Sequence, residues 1–568
     1  MKQKRAILTT DFEKDLGAIP FSDYPRPQMR RDSYICLNGT WNFRVERRGK
    51  TRLSGKINVP FPPESRLSGV ECSIGRQDVM IYSRTLVRPE TADGDRVLLH
   101  VGACDQTARI FVNGTLVGEH VGGYLPFSFD VTDALCEGEN TLRIEARDPL
   151  DLTLPYGKQS KRSHGMWYTK VSGLWQTVWI ECVPRDYIRA VRTSTDLHSV
   201  TIDVDGGADE KILTLGGKQY AFCGQSLRLE IEDPVLWSPD QPHLYEFVLE
   251  SGGDRVQSYF GLRTFGVEER SGRAYLCLNG EPILCHGLLD QGYFPDGIFL
   301  PASPRGFLED ILRMKACGFN MLRKHIKLEP DLFYYYCDRH GMLVFQDMIN
   351  NGAYHFLIDT ALPTIGPRRG ISHTASKKRR AAFDATARGM MDALYSHPSV
   401  VYYTIFNEGW GQFDAKEQYK IYKNLDPSRV FDTTSGWFKV DASDVESDHI
   451  YFKKIALRAV KGKPMVLSEF GGYACAVEGH RYNTEKIFGY RIFKDCQGFE
   501  DGLVGLYEKE ILPAIEGGLC AAVLTQVSDV EDEVNGLMTY DRRVLKVNEK
   551  RMKALAKTLD EAFKNSIP

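Results

Sequence analysis

The chain changes rhythm near residue 269, and that change limits the folds open to it. Before it, short alternating segments follow one another with no good helix among them: WNFRV from Trp41, RVLLHVG from Arg96, ARIFVNG from Ala108, TLRIEARD from Thr141 and TVWIECVP from Thr177. Alternation with period two sends every second side chain to one face, the pattern of a half-buried strand. Asn113-Gly114, between two such runs, supplies the positive-φ residues of a tight hairpin turn. After residue 269 strand-like runs alternate with helical ones, from RAYLCLNG through LEDILRMKACG and VVYYTIFNE to CAAVLTQVSD. That rhythm, over residues 269–568, has the size of a (β/α)8 barrel. A doubly wound sheet is the other α/β solution, but no glycine-rich phosphate loop opens a helix after any strand.

The reading is therefore of three domains. A sandwich of two sheets is expected over 1–184 and a small immunoglobulin-like β-sandwich over 185–268. A TIM barrel is expected over 269–568. Charge bounds the partners: 72 basic against 75 acidic residues give net −3, so there is no basic footprint for nucleic acid or an anionic membrane. No run of about 18 apolar residues predicts a membrane span. The N-terminus lacks the apolar stretch of a signal peptide, and the 13 cysteines form no CxxC pair and no Cys/His cluster with zinc spacing. A cytoplasmic chain with reduced thiols and no metal is expected. The NGT triplets at Asn38 and Asn113 read as turns.

Catalytic residues of a barrel sit at the C-terminal ends of its strands. Glu408 closes VVYYTIFNE and Glu469 closes PMVLSE, and glycine follows each within two residues. Two carboxylates facing across a cleft can break a glycosidic bond. One, protonated, gives its proton to the leaving oxygen, and the other, ionised, attacks the anomeric carbon. A lone strand-end glutamate reads equally well as a cap of the next helix. Two on a barrel rhythm do not.

The strings around these residues carry a resemblance. HPSVVYYTIFNEGWGQ resembles the acid/base segment of glycoside hydrolase family 2, the family of β-galactosidases, β-glucuronidases and β-mannosidases, and PMVLSEFGG resembles its nucleophile segment. GTWNF, RIFVNGTLVGEHVGGYLPFSFDVT and SGLWQTVWIE are similar to the family's jelly-roll sugar-binding domain. VLWSPDQPHLYEF and FGLRTFGVE are similar to the end of its immunoglobulin-like domain. LNGEPILCHG is similar to the first barrel strand, and GFNMLRKHIKLEPDLFYYYCDRHGMLVFQD to strands three and four.

The resemblance implies a retaining exo-β-glycosidase. Glu408 would be general acid and then base, Glu469 the nucleophile, and Asn407 the partner of the sugar 2-hydroxyl. Tyr451 would hydrogen-bond the nucleophile, with His449 near the same strand end. Asp290, Arg323, His325 and Asp347 match polar strand-end positions. Trp410 and Trp437 are candidates to stack on a sugar face, and both also read as packing. Lys324 and Lys327 read as a solvated edge.

The family's glucuronidases place an Asn-x-Lys motif after the eighth strand. Here DVEDEVNGLMTYDRR stands there, with Glu533 and Asn535 at the nearest positions and no lysine. Glu531, Asp532 and Glu533 make that loop acidic, so a β-galactosidase-like enzyme is expected, with Gln526 bonding a hydroxyl. A β-uronidase is the alternative, with Lys324 or Arg542 as the cation. A non-catalytic carbohydrate-binding protein is the alternative of another class. The further domains and metal-site residues of the large β-galactosidases find no match, so no cofactor is expected. The expected partner is a carbohydrate, and homo-oligomer formation stays open.

Overall fold

The computed structural model describes residues 5–362, 368–369 and 374–568. The β-rich part is two sandwiches. In the first, a six-stranded antiparallel sheet built on Gly39–Arg47, Asp78–Val87 and Glu139–Arg147 faces a four-stranded one built on Arg96–Val101 and Val178–Val183. Gly39–Arg47 alternates buried and exposed residues, as period two requires. Its inward residues Trp41, Phe43 and Val45 share one core with Tyr82, Ile110 and Ile180. The hairpin falls where the sequence places it: Thr107–Val112 turns into Thr115–Val121 through Asn113 at φ 51° and Gly114 at φ 84°. Asn38 differs from its reading as a turn residue. Its buried side-chain amide bonds Pro20 O, Phe21 O and Thr177 Oγ1, and its Oδ1 accepts from Val178 N, so it fastens the N-terminal segment to the sheet.

The second sandwich pairs a three-stranded sheet (Ile188–Thr195, Ser199–Gly206, Ser226–Glu230) with a four-stranded one ending in Tyr245–Ser251 and Asp254–Phe260. Its own core contains Val200, Ile202, Leu213, Phe247 and Leu249. A hairpin of Phe265–Arg270 and Arg273–Leu278 then leads into the barrel and packs Tyr275 against Phe563 of the last helix.

Eight parallel strands form one sheet: β1 (Cys285–Asp290), β2 (Met321–Lys324), β3 (Leu343–Asp347), β4 (Val400–Asn407), β5 (Val430–Ser435), β6 (Glu446–Ile450), β7 (Met465–Gly471) and β8 (Leu519–Thr525). The ring is near-closed. Its end strands β5 and β6 meet where Asp444, just before β6, bonds both the amide and the carbonyl of Phe431. β3, β4, β7 and β8 are buried at every position, because helices cover one face and the barrel interior the other.

One expectation is corrected. The LRKH strand is the second of the barrel and the FQD strand the third, because β1 pairs directly with Met321–Lys324 and one crossover helix, α1 (Arg305–Ala316), separates them. The polar helix around 377 is α2 (Lys377–Leu394), and the Ser376 side chain caps it by accepting from Arg379 N.

Parallel register brings the strand ends level. Asp290 lies opposite Lys324, Asn407 opposite Ser435, and His449 opposite Glu469. Residues distant in sequence thus meet at one end of the barrel.

Candidate active site

Glu408 leaves β4 in a left-handed conformation, φ 54°, held by its amide bond to Ser435 O at 2.8 Å. L-residues adopt that conformation at a cost, and here it turns the carboxyl off the strand line. Gly409 must follow, since a Cβ there would lie 2.3 Å from the Phe438 ring. The NEGWG string is thus the sequence of a turn with no room for side chains on its inner side. After Glu469, Gly472 has φ 64° and lies against Tyr490 in the same way.

The two glutamates and His449 form one buried cluster, with one polar atom from each all within 4.8 Å of one another. His449 Nδ1 is 2.9 Å from Glu408 Oε1 and 3.6 Å from Glu469 Oε2. Arg323 Nη1 is a donor without acceptor capacity and points at His449 Nε2 at 3.3 Å. That nitrogen therefore accepts, and Nδ1–H donates to Glu408. Burial pushes the His449 pKa down to about 3, so the ring is neutral. Burial also raises the Glu408 pKa, against the field of Lys158 and of Arg323, which favours its proton-bearing form.

Arg323, 1% exposed, organises the other side. Nε donates to Asp347 Oδ1 at 2.9 Å, Nη1 to Glu469 Oε1 at 3.0 Å and Ser468 O at 2.9 Å, and Nη2 to Asn407 Oδ1 at 2.8 Å. Burial alone would lower the guanidinium's pKa, but Asp347 and Glu469 outweigh that and raise it. Tyr451 donates to Glu469 Oε2 at 2.5 Å and sits 2.9 Å from Thr525 Oγ1. Glu469 thus has donors on both oxygens. His325 Nδ1 meets Asp347 Oδ2 at 2.7 Å, and burial lowers its pKa.

Beyond this centre runs a chain of amides. Gln291 donates to Gln526 at 2.9 Å, Gln526 to Asn535 at 2.8 Å, and Asn535 reaches Glu533 at 3.4 Å. Tyr168, from the first sandwich, donates to Glu533 as well. Burial brings the Glu533 pKa up to about 7.

The structure gathers Glu408, Glu469, Asn407, Arg323, His325, Asp347, His449 and Tyr451 into one hydrogen-bonded cluster. Gln526 belongs to the amide chain. Trp437 stands beside it, half-buried, with Nε1 on His449 O at 3.1 Å. Asp290 is turned to Lys324 at 2.6 Å. Trp410 is 2% exposed and packs edge-on against Tyr156 and Trp167, with Nε1 on Gly352 O.

The solvated-edge reading of two lysines is corrected. Lys324 and Lys327 are 1% and 2% exposed and share Glu329, with Lys324 also on Asp290 and Lys327 on Phe299 O. An ammonium that enters the interior must bring its acceptors with it, and EP of KLEP supplies Glu329. Arg542, the other cation considered for a uronide, is 3% exposed and bound to Asp310. Sequence reasoning passed over Lys158 and Tyr168. Their segment, PYGKQSKRSHGMWYT, has no strand-end or periodic signal.

A barrel with paired carboxylates at its strand ends, behind two β-sandwiches, defines a class, and family models agree with it. The glycosyl hydrolase 2 galactose-binding domain-like model matches residues 54–187, the glycosyl hydrolases family 2 model 187–263, and the family's TIM barrel model 276–501. The chain belongs to glycoside hydrolase family 2.

Among curated relatives, a β-galactosidase of Priestia megaterium is 23% identical over 454 residues, 72% of this chain and 42% of that protein. A β-glucuronidase of Streptococcus agalactiae is 24% identical over 514 residues, 79% of this chain and 84% of that one. The chain thus spans about two fifths of the first β-galactosidases it matches. Among solved structures, Ruminococcus gnavus β-glucuronidase superposes with TM-score 0.74 at 16% identity, covering 93% of this chain and 98% of that one. Among the described residues no helix is long and apolar enough to cross a membrane.

Proposed function

We propose that the protein is an exo-β-glycosidase that cleaves terminal sugars with retention of configuration, by double displacement. The observation that carries this reading is the Glu408–Glu469 pair, whose facing oxygens lie within 4.8 Å. Retaining enzymes keep their carboxyl groups about 5–5.5 Å apart, while inverting ones leave about 6.5–9.5 Å for a water. Glu408, protonated, gives its proton to the glycosidic oxygen as Glu469 attacks the anomeric carbon, and the aglycone leaves as an alcohol. A water then gives its proton to Glu408 and its oxygen to the anomeric carbon, freeing Glu469. Arg323 and Tyr451 hold the attacking carboxylate in place. Asn407 spends Oδ1 on Arg323, so its amide N–H is the donor left for the sugar 2-hydroxyl.

The first sandwich meets the strand-end side of the barrel at two places, which supports a terminal rather than an internal sugar. Tyr156 and Gly157 bond Asn350 O on one rim, and Tyr168 bonds Glu533 on the other. The acidic run Glu531–Glu533 and the likeness to β-galactosidases support a galactoside. One observation favours a uronide instead, and it is the cation Lys158.

An activated 2-fluoro glycoside tests the reading. It should leave one sugar covalently on Glu469, found by peptide mass mapping. Label on another residue overturns the nucleophile assignment. Glu408→Ala should cost about 10²–10⁴-fold for poor leaving groups and far less for dinitrophenolate. An equal loss for both overturns the acid role.

A further inference from the structure

Lys158 belongs to the first sandwich yet stands at the barrel mouth. Its residue is 9% exposed, and its carbonyl accepts from Tyr168 N at 3.0 Å. Its Nζ lies 5.5 Å from the Trp167 ring centre, and Trp167 packs at 5.1 Å on Trp410, two residues beyond Glu408. Among the described residues its ammonium has no hydrogen-bond acceptor and no ion-pair partner. The neighbouring cations do. Arg323 is held by Asp347 and Glu469, Lys324 by Asp290 and Glu329, Lys327 by Glu329, and Arg542 by Asp310.

Three groups feel the charge of Lys158. They are Glu408 at the end of β4, His325 after β2, and Glu533 beyond β8. All three stand at or just beyond barrel strand ends, so Lys158 lies near the end of the barrel that carries the two glutamates. None of the three bonds it. Glu533 already holds Tyr168 and Asn535, and Glu408 holds His449. Among the described residues Lys158 is thus a cation with neither a hydrogen-bond acceptor nor an ion pair of its own beside these groups, and a ligand that brings an anion can supply both.

We propose that Lys158 is the specificity-determining residue of this site, and that it reads an anionic substituent on the terminal sugar, a uronide carboxylate or a sugar phosphate ester. The inference rests on the glycosidase reading and deepens it. The acidic run next to β8 does not oppose it. Asp532 is turned to Asn483 and Glu531 to the Thr169 amide, and burial brings the Glu533 pKa up to about 7, which weakens its charge near neutral pH. The cation comes from a different domain than the barrel, so its absence from the barrel sequence does not exclude an anionic sugar.

The test compares nitrophenyl β-glucuronide, β-galacturonide, 6-phospho-β-galactoside and β-galactoside on wild type, K158M and K158R. One anionic glycoside should be the best substrate of wild type. K158M should lose roughly 10–100-fold more kcat/KM on it than on the neutral galactoside, the size of one charge-assisted hydrogen bond. K158R should recover part of that loss. Comparison of the uronides with the phosphate ester identifies the anion. Without ligand, K158M should melt close to wild type, because Lys158 has no side-chain hydrogen bond or ion pair to lose and methionine can keep the packing on Trp167. A neutral sugar as best substrate, equal losses on both classes, or a K158M that melts well below wild type or fails to fold overturns the proposal and leaves the glycosidase reading intact. Turnover of no glycoside and no label on Glu469 overturns that reading, and the proposal with it.

Discussion

In the proposed role of general acid, Glu408 carries two demands that its surroundings serve together. It must hold a proton when the substrate binds, and it must stand off the strand to reach the glycosidic oxygen. The left-handed backbone serves the second, and burial, which raises its pKa, favours the first. Because the pKa of Glu408 is raised, its proton survives above the ordinary glutamate value of about 4.3 and is lost as pH rises through the raised one. The alkaline limb of kcat/KM is therefore expected to lie above that ordinary value. It should vanish in Glu408→Ala assayed with a dinitrophenyl glycoside, which needs no acid. A limb that persists belongs to another group. Tyr451 makes the opposite contribution, a donor on Glu469, the proposed nucleophile. Tyr451→Phe should lower kcat/KM about 10–100-fold, the value of a hydrogen bond to a charged acceptor. Unchanged kcat/KM would mark Tyr451 as packing only.

The strand ends show why the centre holds its shape. Arg323 on β2 binds side chains of β3, β4 and β7 and a backbone carbonyl of β7, so one fork sets the spacing of four strands. Lysine has the charge without the fork. Arg323→Lys should keep most of the stability and lose at least about 100-fold in kcat, whereas Arg323→Ala leaves Asp347 and Glu469 without a counter-charge, at about 3–5 kcal/mol. Denaturant unfolding and steady-state kinetics on both variants separate the two effects, and equal kcat for Lys and Arg would show that charge alone suffices. Much of this level is legible in sequence. The β-branched runs ending at Glu408 and Glu469 mark strand ends, and the alternation after residue 269 marks the barrel. Lys324 and Lys327 are misread because LRKHIKLEP has the polarity of a surface. Only the fold shows Glu329 and Asp290 folded back onto them. Lys158 is illegible for another reason. Its meaning depends on how one domain docks on another, and no local pattern records docking.

At the scale of the whole molecule, the first sandwich touches the end of the barrel that carries the two glutamates. The two sandwiches are joined through buried Arg31, which binds Glu181 of the first at 2.8 Å and Asp254 of the second at 2.8–2.9 Å. The first sandwich meets the barrel mouth through the segment that carries Lys158. Gly157 is a tight point of this docking, beside the bonds of Tyr156 to Gly352 O and of Tyr168 to Glu533. It has φ 65°, its amide bonds Asn350 O, and a Cβ there would stand 2.7 Å from Ile326 O and 2.8 Å from Tyr124 Oη. The barrel backbone cannot yield, so Gly157→Ala must move the segment itself. The cost is about 1–2 kcal/mol for the backbone conformation and about 1–3 kcal/mol for the clash. The carboxylate centre is built from barrel strands, so a mechanism-based label should still reach Glu469 in Gly157→Ala. Recognition at the rim should suffer instead, as a raised KM with a smaller change in kcat. A loss confined to kcat would place the segment in the chemistry, and a variant with wild-type melting and kinetics would show that the two domains dock with slack at this point.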